Sequence, residues 1–91
     1  MTNLVVVDLT PIDKDKMAQY SALAAETLTP FNGNFIGKGE VEVLSGEAQH
    51  KLKVIIQFPD IESARAWYKS EKYQAIIPLR EEAMRSQFHL I

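Results

Sequence analysis

The chain contains no cysteine, which excludes disulfides, thiolate metal sites and a cysteine nucleophile together. It has no surplus of positive charge either. Ten basic side chains face twelve acidic ones, for a net charge of −2. Nucleic-acid binding rests on an excess of Lys and Arg over phosphate, so no polyanion partner is expected. Long apolar runs are absent at the start, where Leu4 to Val7 is too short for a signal peptide or a membrane span and no basic segment precedes it. A cytoplasmic protein without membrane contact is the expectation. Histidine is scarce: His50 and His89 are the two in the chain, on different strands and without carboxylates at zinc spacing, so neither zinc nor haem ligation is expected. The glycines of "NGNFIGKG" precede no helix and form no phosphate loop.

What is present fits one domain over 1–91. A hydrophobic fraction of 46% beside 24% charged residues is ordinary for a globular chain and argues against disorder. A second core would have too little material.

"NLVVVDL" over 3–9 is short and β-branched, as a buried strand should be. A helix over 13–28 follows, capped by Thr10 with Pro11 at its first position or by Asp13, with Met17, Tyr20, Ala24 and Leu28 on one face. Strands over 35–44 and 50–58, joined by the turn "SGEAQ", make an antiparallel hairpin. Asp60 caps a helix reaching Lys69, and Ser70 caps another that Pro78 should kink or restart, its helical character fading near Arg85. "SQFHLI" over 86–91 is the last strand. The fold class is α+β: a ferredoxin-like β-α-β-β-α-β chain with an extra short helix before the last strand. Two helices cover one face of a four-stranded antiparallel sheet of order 4-1-3-2.

Alternation places Val5, Val7, Leu9, Leu52, Val54, Ile56, Phe58, Phe88 and Leu90 under the helices. Leu4, Val6, Ile36, Ile55 and Ile91 then face the other way, where the chain has no helix to cover them. Each buried aliphatic side chain is worth about 1.5–3 kcal/mol, and a contiguous apolar patch marks an interface. A second copy placed against this open sheet face, giving a homodimer, satisfies both points. RNA binding by such a sheet uses aromatics on its central strands; here those positions are Val6, Asp8, Lys53 and Ile55.

"GEVEVLSG", followed by "VIIQFPDIESARAWYKSEKYQAIIPLREEA", resembles the domain of unknown function 1330 family of the dimeric α/β-barrel superfamily. Matching positions are Gly37 and Gly39, then Val54 to Pro59, Ala64 to Tyr68, Ser70, Tyr73, Gln74, Leu79 and Arg80. One departure is local: Lys38 stands between the two glycines. The resemblance implies the fold and a dimer. Superfamily relatives include cofactor-free monooxygenases, isomerases and haem-associated enzymes, but a fold does not carry a function.

The stretch from Asp60 to Arg80 concentrates one Trp, two Tyr and two Arg. Trp67 and Tyr68 point about 100° apart on a helix, so one is buried against the sheet while the other covers a helix seam or a pocket mouth. Such rings serve as packing with a polar handle or as pocket lining. Arg65 and Arg80 either hold an anionic ligand or pair with Glu62, Glu71 or Glu81. Asp8 shares its sheet face with Lys53, Gln57 and His89. An Asp8–His89 pair is a candidate general base, the carboxylate orienting the imidazole, or else a polar rim of the dimer interface. The expected ligand site, between sheet and helices, draws on Phe35, Ile55, Arg65, Trp67, Tyr68, Tyr73 and Arg80. The expected function is binding of a small organic ligand, with cofactor-free proton-transfer or oxygenase-like chemistry; the alternative is a non-catalytic dimeric accessory module.

Overall fold

The computed structural model describes residues 3–91. β1 (Leu4–Pro11) lies inside a four-stranded sheet, between β3 (Leu52–Gln57) and β4 (Met84–Leu90), with β2 (Asn34–Glu40) on the outer side of β3. All three pairings are antiparallel. The order β2-β3-β1-β4 is 4-1-3-2 read from the other edge, and the arrangement is ferredoxin-like. Burial alternates along β1: Val5, Val7 and Leu9 are buried, while Leu4, Val6, Asp8 and Thr10 are partly exposed. One face meets the helices and the other meets none, as the period of two requires. The Cα envelope is 35 × 33 × 16 Å, the thickness of one sheet and one helix layer.

α1 (Lys14–Leu28) starts where Asp13 accepts a hydrogen bond from the Lys16 backbone N–H at 3.0 Å, so Asp13 rather than Thr10 is the cap. Pro11 instead extends β1, opposite Met84. α2 (Ile61–Lys69) is capped by Asp60, which accepts from the Ser63 N–H at 2.7 Å; that bond holds the Asp60 carboxyl below its usual range. Ser70 serves twice, donating its N–H to the Trp67 carbonyl to close α2 and accepting from Tyr73 N–H to open α3 (Glu71–Ala83).

Three expectations need correction. Pro78 does not restart the helix: α3 runs unbroken for thirteen residues and is longer than α2. Pro78 is exposed while Tyr73, Arg80 and Ala83 anchor the helix on both sides of it, so the hydrogen bond it cannot make falls on the solvent side. The hairpin also lacks a short turn. β2 ends at Glu40 and β3 begins at Leu52, leaving residues 41–51 as an eleven-residue arm. Past the Val41 N–H to Lys51 carbonyl bond the arm leaves the sheet edge and leans over the open face. There His50 Nδ1 meets the Thr10 hydroxyl at 2.9 Å, and Gln87 donates to Gln49 at 3.4 Å. Gly46, at φ +86°, makes the turn of the arm. β4 likewise starts at Met84, two residues before the expected strand, directly from the end of α3.

The core is the layer between sheet and helices. Val5, Val7, Leu9, Ile56 and Phe58 meet Leu28, Ala64, Trp67 and Tyr73 there. Behind α1, Gly33 sits so close to this layer that a Cβ would lie 2.7 Å from Phe58 Cε2 and 2.9 Å from Leu28 Cδ2.

Candidate functional site

The sheet-facing positions of α1 recur as Met17, Tyr20, Ser21, Ala24 and Leu28. Two of these five are small. Where Ser21 and Ala24 pass over the sheet they leave a partly open cavity of about 260 Å³, floored by Val7, Leu9, Val54 and Ile56 and closed at the back by Trp67 and Phe88. Its walls are nearly all hydrocarbon, as ligand cavities usually are.

The rim on the β2 side is shaped by a bulge. Between Phe35, opposite Ile56, and Gly37, opposite Ile55, the register takes in Ile36 as an extra residue. Phe35 and Lys38 therefore both turn toward the helix side and line the cavity, with Phe35 half-exposed at 49%. Lys38 is the charged side chain among the lining residues.

Behind the cavity lies a polar network in an aromatic cluster. Trp67 is 1% exposed, its ring centroid 4.4 Å from that of Tyr73 and 5.5 Å from that of Phe58. Its indole N–H donates to the Thr27 hydroxyl at 2.9 Å, and Thr27 donates in turn to the Ala24 carbonyl at 2.7 Å. Tyr73 is fully buried, with its hydroxyl 2.7 Å from that of Tyr20. Arg80 donates from Nη1 to Tyr68 at 3.0 Å and to Tyr73 at 3.1 Å, and from Nη2 to Glu81 at 2.9 Å. Its guanidinium carbon also sits 4.7 Å from the centre of the Phe88 ring, so a buried charge is held by hydroxyls, a carboxylate and π-faces.

Burial pushes the phenols of Tyr20 and Tyr73 up, so both stay protonated across the ordinary range. Burial works against the charge on Arg80, but its bonds to Tyr68, Glu81 and Tyr73 outweigh that and hold its pKa above the usual value.

The residues singled out from the sequence do not form one site. Phe35 and Trp67 line the cavity. Tyr73 and Arg80 stand behind it. Arg65 pairs with Glu62 at 3.0 Å and, with Tyr68 and His89, borders a separate recess at the β4 edge. Ile55 is on the other side of the sheet: it is opposite Val6, and its neighbours Val54 and Ile56 take the helix side. Asp8 is paired with Lys53 at 3.2 Å. Its neighbours across the sheet are Lys53 and Gln87, whereas His89 stands opposite Val6, one diagonal step away. Strand parity puts both groups on one face, but the register of β4 against β1 does not place them opposite each other.

Tyr20, Lys38 and Thr27 went unrecognised. The helix face of Tyr20 was legible, but its hydroxyl partner 53 positions away was not. Lys38 turns inward because of a bulge that alternation cannot show. No three of His, Asp and Glu come together as a metal site among the described residues, and no helix among them is long and apolar enough to cross a membrane.

A family model described as Domain of unknown function (DUF1330) matches residues 2–91. The chain belongs to this family. No curated protein matches it by sequence. Among solved structures, the DUF1330 chain is similar to RPA0582, a protein of unknown function from Rhodopseudomonas palustris, at 14% identity and a TM-score of 0.71 over 100% of this chain and 82% of that one. It is similar to SnoaB, a cofactor-independent oxygenase from Streptomyces nogalater, at 13% identity and a TM-score of 0.66 over 100% and 92%. A dimeric ferredoxin-like protein of unknown function from Thermobifida fusca YX is also similar, at 11% identity and a TM-score of 0.62 over 100% and 92%. At such identities the likeness is one of fold.

Proposed function

We propose that this DUF1330 protein is a homodimer, joined through its open sheet faces, in which each subunit binds a small organic molecule between α1 and the sheet. One observation carries the binding reading: a partly open cavity of about 260 Å³, walled by hydrocarbon, with one ammonium group on its lining. A packed core closes such volumes to about the density of an organic crystal. A space this large is kept open at a cost, which a bound molecule removes. An engineered cavity of about 150 Å³ takes a benzene, so the occupant here is about the size of two fused rings.

The dimer is supported by the helix-free face on which Leu4, Val6 and Ile55 stand partly exposed, overhung at its Thr10 end by the 41–51 arm, and by the dimeric ferredoxin-like relative. Cofactor-free chemistry, proton transfer or oxygenase-like, is supported by the fold shared with SnoaB. Asp8 and His89 as its acid–base pair would act on the open face, enclosed by the second subunit. The alternative, a non-catalytic accessory module, is favoured by the engagement of Asp8 with Lys53.

Native mass spectrometry of freshly purified protein tests the first reading directly. The expected result is a dimer carrying a small molecule. A bare monomer would overturn both halves. The paired change Asp8→Asn with His89→Gln separates the chemical readings: unchanged turnover of the retained molecule removes these two residues from any reaction.

A further inference from the structure

Arginine can only donate hydrogen bonds. Among the described residues, the Tyr73 hydroxyl has two partners, Arg80 Nη1 at 3.1 Å and the Tyr20 hydroxyl at 2.7 Å. Tyr73 therefore accepts from Arg80, and the one oxygen left to receive its own proton is that of Tyr20. The opposite direction would leave the proton of a fully buried hydroxyl without an acceptor, a costly arrangement. The chain of donation thus runs from Arg80 to Tyr73 to Tyr20.

Tyr20 ends that chain. Its oxygen receives the Tyr73 proton, so its own proton is left over, and it has no further hydrogen-bond partner among the described residues. Tyr20 is also a wall of the cavity, which Arg80 and Tyr73 are not. Two other groups on the lining are donor-only: the Trp67 N–H, which is spent on Thr27, and the Lys38 ammonium. Tyr20 and Lys38 therefore each have a proton to offer.

We propose that Tyr20 donates a hydrogen bond to an acceptor oxygen of the bound molecule, and that Arg80 and Tyr73 fix the direction of that bond from outside the cavity. The ligand class is a flat apolar body of about two rings bearing a carbonyl-type oxygen. This rests on the cavity being the binding site, as proposed above. Arg80 is a positioning residue, since it touches Tyr73 and not the ligand.

The test compares two molecules of nearly equal shape, 2-acetylnaphthalene and 2-isopropenylnaphthalene, which differ in a carbonyl oxygen against a methylene. Binding is followed by calorimetry and by quenching of Trp67, the one tryptophan of the chain. The native protein should bind the ketone about five- to tenfold more tightly than the hydrocarbon, with the carbonyl stretch of the bound ketone moved to lower frequency. Tyr20→Phe should abolish both the preference and the infrared shift while the hydrocarbon still binds, which also shows that the variant is folded. Arg80→Met should reduce the preference, because Tyr73 then becomes free to accept from Tyr20, and Arg80→Lys should restore part of it. Tyr68→Phe removes an Arg80 partner outside the chain of donation and should leave the preference intact.

Equal binding of the two probes by the native protein would overturn the proposal while leaving the cavity reading in place. So would a preference that survives in Tyr20→Phe. Failure of both probes to bind would overturn the cavity reading, and this proposal with it.

Discussion

Filling the cavity from above should strengthen the fold and abolish binding in the same variant. Ala24 is the residue to change: it is 6% exposed, sits on the sheet-facing side of α1 and lines the cavity. Ala24→Leu adds three carbons, which take up roughly a third of the 260 Å³. At about 0.8 kcal/mol for each buried carbon, the transfer gain is roughly 2.4 kcal/mol. Ordering the leucine side chain costs about 0.5–1 kcal/mol, leaving a net gain of about 1.4–1.9 kcal/mol. For a chain of this length that raises the midpoint of thermal unfolding by about 10 °C. Calorimetric melting and urea titration measure the gain, and titration with 2-isopropenylnaphthalene measures the loss of binding. Overpacking of a site without free volume would instead cost about 1–3 kcal/mol. A lower midpoint would therefore refute the open cavity, and a raised midpoint with undiminished binding would place the probe elsewhere.

Gly33→Ala should destabilise by about 1–3 kcal/mol in urea titration, because the new methyl group would meet the buried ring of Phe58 at 2.7 Å; an unchanged midpoint would show that the ring yields freely. Thr27→Val keeps the shape but leaves the buried Trp67 N–H without its acceptor, and should cost about 1–3 kcal/mol, read by denaturation followed through Trp67 fluorescence. Alkali should weaken the fold through Tyr20 and Tyr73. Their folded pKa values stand above the unfolded value of about 10, so the stability they contribute is complete below pH 10. It is lost as pH rises further, because the unfolded chain releases protons that the folded one keeps. Tyr20→Phe should flatten that decline by up to about 1.4 kcal/mol per pH unit, and parallel curves for the two proteins would contradict it. Ile55→Lys, on the bare face, should shift sedimentation from dimer to monomer, whereas an unaltered dimer would move the interface elsewhere.

Strand parity and helix caps were legible in the sequence because each is a local event. Val5, Val7 and Leu9 turn inward by a period of two, and Asp13, Asp60 and Ser70 capture N–H groups within three residues of themselves. The arm was misjudged because Val41 and Val43 alternate like a strand, while the partners that draw its far end away, Thr10 and Gln87, lie about forty positions off. The site was harder still. Phe35 and Trp67 stood out as large rings, but what makes a cavity beside them is the smallness of Ser21 and Ala24, which composition does not advertise. Pairing Asp8 with His89 required the register of β4 against β1, which sets Asp8 opposite Gln87 and His89 opposite Val6 and which parity along a single strand does not carry.

The helix roofing the cavity is moored along one side. Toward α2 and α3 it is tied by Tyr20 to Tyr73 and by Thr27 to Trp67, bonds of 2.7 and 2.9 Å inside the core. Toward β2 the cavity lies between it and the half-exposed ring of Phe35 and the flexible stem of Lys38. The easy path for a guest is therefore the unmoored side, where side chains can swing aside without a buried hydrogen bond being broken.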